Sequence, residues 1–259
     1  TVADRYQMEA MLSYTTKPII YVTYEAEGCR DAIKMAQVVM GGADALKKTP
    51  LMACYINAVS GLRHNKDALE KLLFLASENL PSLYIPASTA AITSPVTPAG
   101  TVALDYAGVL VGLTLSQLKN EGAPVIVPGM PPGSTFDMKT FVLSYCEPER
   151  TITQALGHYL GFPAFAIAGA SESKTADSQA AAEAALSLVV ETLAGGNFMD
   201  RLHGFLANPD PVVVHAALDH LRNGPLADDA LAEGHPEVAR RYGDGETRML
   251  RMRGPRGRP

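Results

Sequence analysis

The residues best suited to bind or polarise a small molecule are concentrated in residues 163–183, PAFAIAGASESKTADSQAAAE. An apolar run ends at Gly169, a polar loop follows, and an alanine-rich segment starts near Ser178. This order predicts a buried parallel strand, a loop at its carboxyl end, and a capped helix that returns outside the sheet. Loops in this position hold the sites of many α/β proteins. The candidate binding residues here are Glu172, Lys174, Asp177, Gln179 and Glu183.

Two kinds of chemistry fit this stretch. Gln179 and Glu183 are four residues apart, which places both on one face of the predicted helix, beside the loop that would hold a site. Lys174 would alternatively serve as a Schiff-base nucleophile of a lyase. A purely structural interpretation also stands, in which Asp177 is only the N-cap of the helix and the other two residues form a solvated face.

Further candidates follow the other predicted strands. Because parallel strands end at one rim of a sheet, residues that follow different strands are expected to share a site. These further candidates are Tyr24, Asn57, His64, Thr93, Phe136 and Asp137.

No metal site is predicted, since the six histidines show neither HxH nor HExxH spacing. Nucleophile-elbow, dinucleotide-binding and P-loop patterns are also missing from the sequence. The glycine-containing run 129–133 holds prolines, which lack the N–H groups that a phosphate needs.

Apolar runs and helical segments alternate along the chain, a pattern that predicts a parallel α/β sheet. Only about six of the eight βα units of a TIM-type barrel are visible, so the expected fold is a partial (β/α)8 barrel. A barrel with two hidden strands and an open doubly wound sheet are the alternatives. The six predicted strands are 19–22, 51–56, 82–85, 124–127, 163–167 and 197–199.

The predicted domain organisation is one barrel domain, residues 1–223, followed by a polar extension, residues 224–259, whose last ~12 residues are basic and expected to be disordered.

The net charge of −5 argues against a nucleic-acid partner. Three isolated cysteines indicate a reducing compartment. No apolar run of membrane-spanning length and no signal peptide is expected, so a cytoplasmic location is predicted.

Several motifs, in the same order along the chain, resemble the trimethylamine methyltransferase family of corrinoid-dependent methyltransferases. The segment SESKTADSQAAAE is similar to the family's serine, lysine, aspartate, glutamine and glutamate pattern. INAVSGLRH, TSPVTPAGT, FDMKT, CEPE and LAGGNF are similar to further family segments and extend the resemblance over residues 17–197. Gly108 departs from the pattern: it ends Tyr-Ala-Gly where the family has Asn-Ala-Glu, so the family's buried carboxylate is expected to be missing at this place in the helix.

The resemblance implies a barrel that takes a methyl group from a methylated amine and passes it to the Co(I) of a separate corrinoid protein. Since no pyrrolysine is written in the sequence, it implies the quaternary-amine branch, typified by glycine betaine. A cationic substrate of this kind would be held by aromatic faces and carboxylates, with Tyr24, Phe136 and Glu172 as the cage. No directly bound cofactor is expected.

A degenerate or truncated barrel that binds an amine or a partner subunit without turnover is the second hypothesis, because the sequence is short beside its family. The edges of a partial sheet need covering, and a homo-oligomer is therefore expected.

Overall fold

The structure is a computed structural model of the chain. It describes residues 3–59, 62–86, 88–129, 136–137, 142–143, 151–171, 173–200 and 205–206. The predicted boundary at residue 223, the extension 224–259 and Glu172 lie outside the described residues.

Six of the strands form one parallel sheet with the order β1-β2-β3-β4-β7-β9. Two short pairs stand apart from this sheet, one antiparallel (β5 with β6) and one parallel (β8 with β10). The strands are β1 (Ile19–Val22), β2 (Met52–Ala58), β3 (Ser82–Pro86), β4 (Val125–Gly129), β5 (Phe136–Asp137), β6 (Val142–Leu143), β7 (Ala164–Ile167), β8 (Ala170–Ser171), β9 (Phe198–Asp200) and β10 (Phe205–Leu206).

Helices connect each neighbouring pair of strands in the main sheet, as parallel pairing requires. They pack on one face of it, where buried side chains of β1, β2 and β3 such as Tyr21, Cys54 and Tyr84 join the largest core cluster. The helices are α1 (Ala3–Tyr14), α2 (Ala26–Met40), α3 (Ala43–Lys48), α4 (Lys66–Glu78), α5 (Pro98–Lys119), α6 (Ile152–Tyr159) and α7 (Ser178–Leu193).

The opposite face of the sheet is concave. Its apolar side chains form a second cluster that includes Leu83, Ile126 and Ile167. The rings of Tyr55 on β2 and Phe165 on β7 meet edge to face, with centroids 5.7 Å apart, although β3 and β4 lie between their strands. In a flat sheet three strand spacings amount to about 14 Å. The sheet therefore curls around its interior, which confirms the partial α/β barrel.

Helix α5 is the longest element and forms the core layer over β3 and β4. A Cβ atom at Gly112 would clash with the Tyr84 ring, and one at Gly108 would lie 2.8 Å from Pro86 Cβ, so both glycines let the helix approach the strand closely. The expectation that no segment has membrane-spanning length is wrong by length and composition, because the 22 residues of α5 meet both conditions. A buried core helix meets them as well.

Candidate functional site

The carboxyl ends of β2, β3 and β7 carry the candidate site. These ends lie at the same rim because the strands are parallel neighbours or near neighbours in one curled sheet. Two groups of hydrogen-bonded side chains stand there, one after β7 and one between β2, β3 and α5.

The group after β7 is centred on Glu183 of α7. The Ser171 hydroxyl donates to Glu183 Oε2 at 2.8 Å, and Gln179 Nε2 donates to Oε1 at 2.9 Å. The Ser173 backbone N–H donates in turn to Ser171 Oγ at 2.9 Å. The Gln179–Glu183 hydrogen bond agrees with the predicted placement of both residues on one helix face. The loop and the first turns of α7 thus form one polar wall.

Asp177 caps α7. Its Oδ1 accepts from the Ala180 backbone N–H at 2.9 Å and from the Ser173 hydroxyl at 3.2 Å, while Oδ2 accepts from the Thr175 hydroxyl at 2.9 Å. The backbone hydrogen bond from Ala180, followed by the Thr175 hydroxyl, lowers the pKa of Asp177. The N-cap interpretation is confirmed, and both carboxylate oxygens are engaged within this turn.

Lys174 is exposed to solvent in the same loop. A Schiff-base lysine is activated by a desolvated pocket or a neighbouring cation. An exposed amine lacks that desolvation, so the structure offers no support for the lyase alternative.

The second group contains His64 and Tyr84. His64 Nδ1 lies 2.7 Å from the Tyr84 hydroxyl, and the two rings are nearly parallel, with centroids 5.9 Å apart. Burial raises the pKa of Tyr84 to about 12, so the phenol keeps its proton and can donate it to an unprotonated Nδ1. This contact anchors the loop after β2 to β3 and holds the imidazole at the rim.

Asp105 of α5 is a buried carboxylate beside this group. It is only 8% exposed, and burial raises its pKa to about 6, an effect that the polar groups of Ser88 oppose. The family's carboxylate is missing at Gly108, as expected, but the same helix carries this other buried carboxylate. At Gly108 a side chain would meet Pro86, as described above, and its Cβ would lie 3.9 Å from His64 Cε1. The carboxylate occurs instead one turn earlier, where α5 passes Ser88.

The remaining candidates lie at different parts of the rim. Asn57 is exposed at the end of β2, on the same face as Ala53 and Tyr55 by strand alternation, and Tyr24 is 74% exposed after β1. The Thr93 hydroxyl accepts from the Thr89 backbone N–H at 2.8 Å and so supports its own loop. Phe136 and Asp137 form β5 and pair with β6.

Sequence reasoning missed Asp105 as a site residue. The available signal was its isolation, because Asp105 is the only residue with a charged side chain in the run 98–118. A single acid in an apolar helix either points to solvent or is buried where its charge has a functional role.

The described residues contain no group of three or more histidine, cysteine, aspartate or glutamate side chains arranged to hold a metal ion. The site instead offers carboxylates, hydroxyls and an imidazole above an apolar, partly aromatic interior. Such an arrangement can bind and orient an organic cation.

The curled parallel sheet and the polar side chains at its carboxyl rim define the class: a β/α-barrel protein with its candidate site at the barrel mouth. The trimethylamine methyltransferase (MTTB) family model matches residues 4–209, and the chain therefore belongs to that family.

Among curated proteins, the chain is 32% identical over 187 residues to a glycine betaine methyltransferase of Desulfitobacterium hafniense strain Y51, covering 70% of this chain and 38% of that one. It is 30% identical over 206 residues to the trimethylamine methyltransferase MttB of D. hafniense strain DCB-2, covering 77% and 40%. It is 29% identical over 161 residues to a proline betaine:corrinoid methyltransferase of Eubacterium limosum, covering 61% and 33%. The matched region thus spans at most two fifths of these relatives.

Proposed function

We propose that this chain contributes to a methyltransferase that moves a methyl group from a quaternary amine such as glycine betaine to a corrinoid protein, within methylamine metabolism. The observation that carries the proposal is family membership over residues 4–209, together with relatives named for glycine betaine and proline betaine. The rim geometry supports it, because its side chains are suited to holding a cation.

A corrinoid carried by a partner protein would supply the Co(I) that accepts the methyl group. The exposed Tyr24 and Asn57 lie at the rim, where such a partner would dock. The tasks left to this chain are to bind the amine, to orient one methyl group outward and to exclude water.

The chain needs no general acid for this reaction, because a quaternary nitrogen leaves as a neutral amine. Aromatic faces and carboxylates stabilise the fixed positive charge of the substrate. We assign the cage to Tyr24, Phe136 and Glu172, and the pocket wall to Lys174, Gln179 and Glu183. Asn57, His64, Thr93 and Asp137 complete the proposed rim.

The second candidate is a member that binds an amine or a partner without catalysis. One observation favours it: Gly108 stands where the family pattern has a carboxylate. Calorimetry with glycine betaine and carnitine, followed by incubation with reduced corrinoid protein, separates the two candidates. Binding with transfer supports the enzyme, and binding without transfer supports the non-catalytic member.

The remaining proposals concern partners and location. We expect neither a nucleic acid nor a membrane as partner, in line with the net charge of −5. A cytoplasmic location is supported by Cys29 and Cys54, which are both free thiols. A homo-oligomer is supported by the unpaired edge of β1 in the described sheet and by the apolar outer face of α7.

A further inference from the structure

We infer that Asp105 and Ser88 form an anionic subsite that compensates the positive charge of the substrate's ammonium head. The inference deepens the proposed function and rests on it, because it names the chain's own groups that distinguish a cationic amine from a neutral molecule of the same shape.

Both side chains are buried, and the carboxylate of Asp105 is incompletely hydrogen bonded. Asp105 is 8% exposed and Ser88 is 5% exposed. Asp105 Oδ1 and Ser88 Oγ have no hydrogen-bond partner. Burying a carboxylate without a partner is costly, and a nearby cation offsets that cost. The polar groups of Ser88 stabilise the Asp105 carboxylate in part. A buried carboxylate that has only this neutral neighbour and keeps Oδ1 without a hydrogen-bond partner indicates a place for a cation.

The position of the pair agrees with the candidate site. Ser88 follows the carboxyl end of β3, and Asp105 approaches it from α5, on the helix face that continues to Gly108. The neighbouring titratable groups are His64 and Tyr84, which hydrogen bond to each other. Burial raises the pKa of Asp105, the polar groups of Ser88 oppose that rise, and no positively charged side chain contributes.

A quaternary ammonium is the ligand class that fits best. It carries a fixed charge but no N–H group, so it needs a nearby negative charge rather than a hydrogen-bond acceptor with strict geometry. In a site of low dielectric constant, that attraction acts across several ångströms. The cation would in turn favour the ionised form of Asp105, so its binding is coupled to deprotonation of this residue.

The test uses the full 259-residue chain, glycine betaine, and 3,3-dimethylbutyrate, which replaces the quaternary nitrogen by carbon. Calorimetry at pH 7.5 should show at least tenfold tighter binding of betaine than of its carbon analogue. D105N should lose that preference, and S88A should reduce it. The control D44N changes an exposed aspartate of α3 and should match the parent.

The pH dependence gives a second readout. In the parent, betaine affinity should fall about tenfold between pH 7.5 and pH 5, whereas D105N should lose most of that fall. Should D105N fail to fold, carboxyl ¹³C titration of the parent decides, since saturating betaine must lower the midpoint of Asp105.

The subsite would be overturned if D105N still preferred betaine to its carbon analogue and kept the pH dependence of betaine affinity. It would also be overturned if betaine left the titration midpoint of Asp105 unchanged. The proposed function is tested separately, by methyl transfer. If folded D105N transfers the methyl group and binds betaine with unchanged affinity, only the subsite is rejected. Absence of both betaine binding and methyl transfer in the parent would reject both.

Discussion

Asp105 is an acidic residue buried within the helical layer. Its folded-state pKa of about 6 lies above the ordinary value of 3.8, so the folded protein binds its proton more tightly than the unfolded chain does. Its contribution to stability is therefore fully present below pH 4 and is lost as the pH rises through 6.

The first prediction concerns D105N, which keeps the shape of the side chain and removes the titration. Between pH 4 and pH 7 the free energy of unfolding of the parent should fall by about 2 kcal/mol relative to that of D105N. Urea unfolding at both pH values measures this difference. D44N, at an exposed site, should follow the parent, and equal pH slopes for the parent and D105N would contradict the raised pKa.

A second prediction concerns Glu183. An amide at position 183 cannot accept from both Ser171 and Gln179 through two oxygens, so E183Q should loosen the polar wall after β7. We expect about tenfold weaker betaine binding, corresponding to about 1.4 kcal/mol, by calorimetry. The control E121Q changes an exposed residue beyond α5. Unchanged affinity in E183Q would remove this residue from the pocket wall.

The packing of α5 against β3 positions both His64 and Asp105. Gly112 is the point of closest approach, because a Cβ there would overlap the Tyr84 ring, and Tyr84 in turn holds His64. Tyr84 therefore links α5 to His64 at the rim, because it contacts both.

G112A tests this connection. Overpacking should destabilise the fold by about 1–3 kcal/mol despite the better helix propensity of alanine. Histidine NMR should also show a changed His64 environment. T114A, on the exposed side of the same helix, supplies the control and should leave both measurements close to the parent values. A G112A protein as stable as the parent would show that α5 has room at this point.

The elements also show which features a single sequence can predict. All six strands of the main sheet were predicted, since each is a short apolar run next to a turn or helix signal; β7, for example, was expected at 163–167 and lies at Ala164–Ile167. Helix α3 was missed because it has only six residues and follows Gly41-Gly42 directly. The pair β8 and β10 was missed because its two-residue ladder depends on contact between distant segments.

The site was predicted less completely than the fold for the same physical reason. Local spacing sufficed for Asp177 as an N-cap and for the Gln179–Glu183 pair, both of which are contacts within one helix. The Asp105–Ser88 and His64–Tyr84 neighbours depend on how a helix or loop approaches a strand, which spacing within a single segment does not report.

At the scale of the whole molecule, α7 has an inverted amphipathic pattern. Its buried positions include Ser187 and Glu191, while Leu186, Val189 and Leu193 are between 52% and 83% exposed. The outer face carries no charged side chain, with alanines near its start and larger residues near its end. Two copies packed antiparallel would place large residues against small ones, so this face suits a symmetric dimer.

L193E should therefore shift the chain from dimer to monomer, because it places two like charges in an apolar interface. Light scattering coupled to size-exclusion chromatography measures the mass. V38E, at an equally exposed apolar position of α2, should leave the mass unchanged. A dimer that persists in L193E would show that another surface joins the copies, and a monomeric parent would reject the homo-oligomer.

The proposal that the chain is a methyltransferase is tested most directly by measuring methyl transfer. The chain is mixed with glycine betaine and a reduced corrinoid protein from a quaternary-amine system, and the absorbance spectrum is followed over time. We expect conversion of Co(I) to methyl-Co(III), with one demethylated amine released for each methyl group transferred, and no conversion when the chain is omitted. A folded chain that binds betaine and leaves the Co(I) spectrum unchanged would contradict the claim of catalysis.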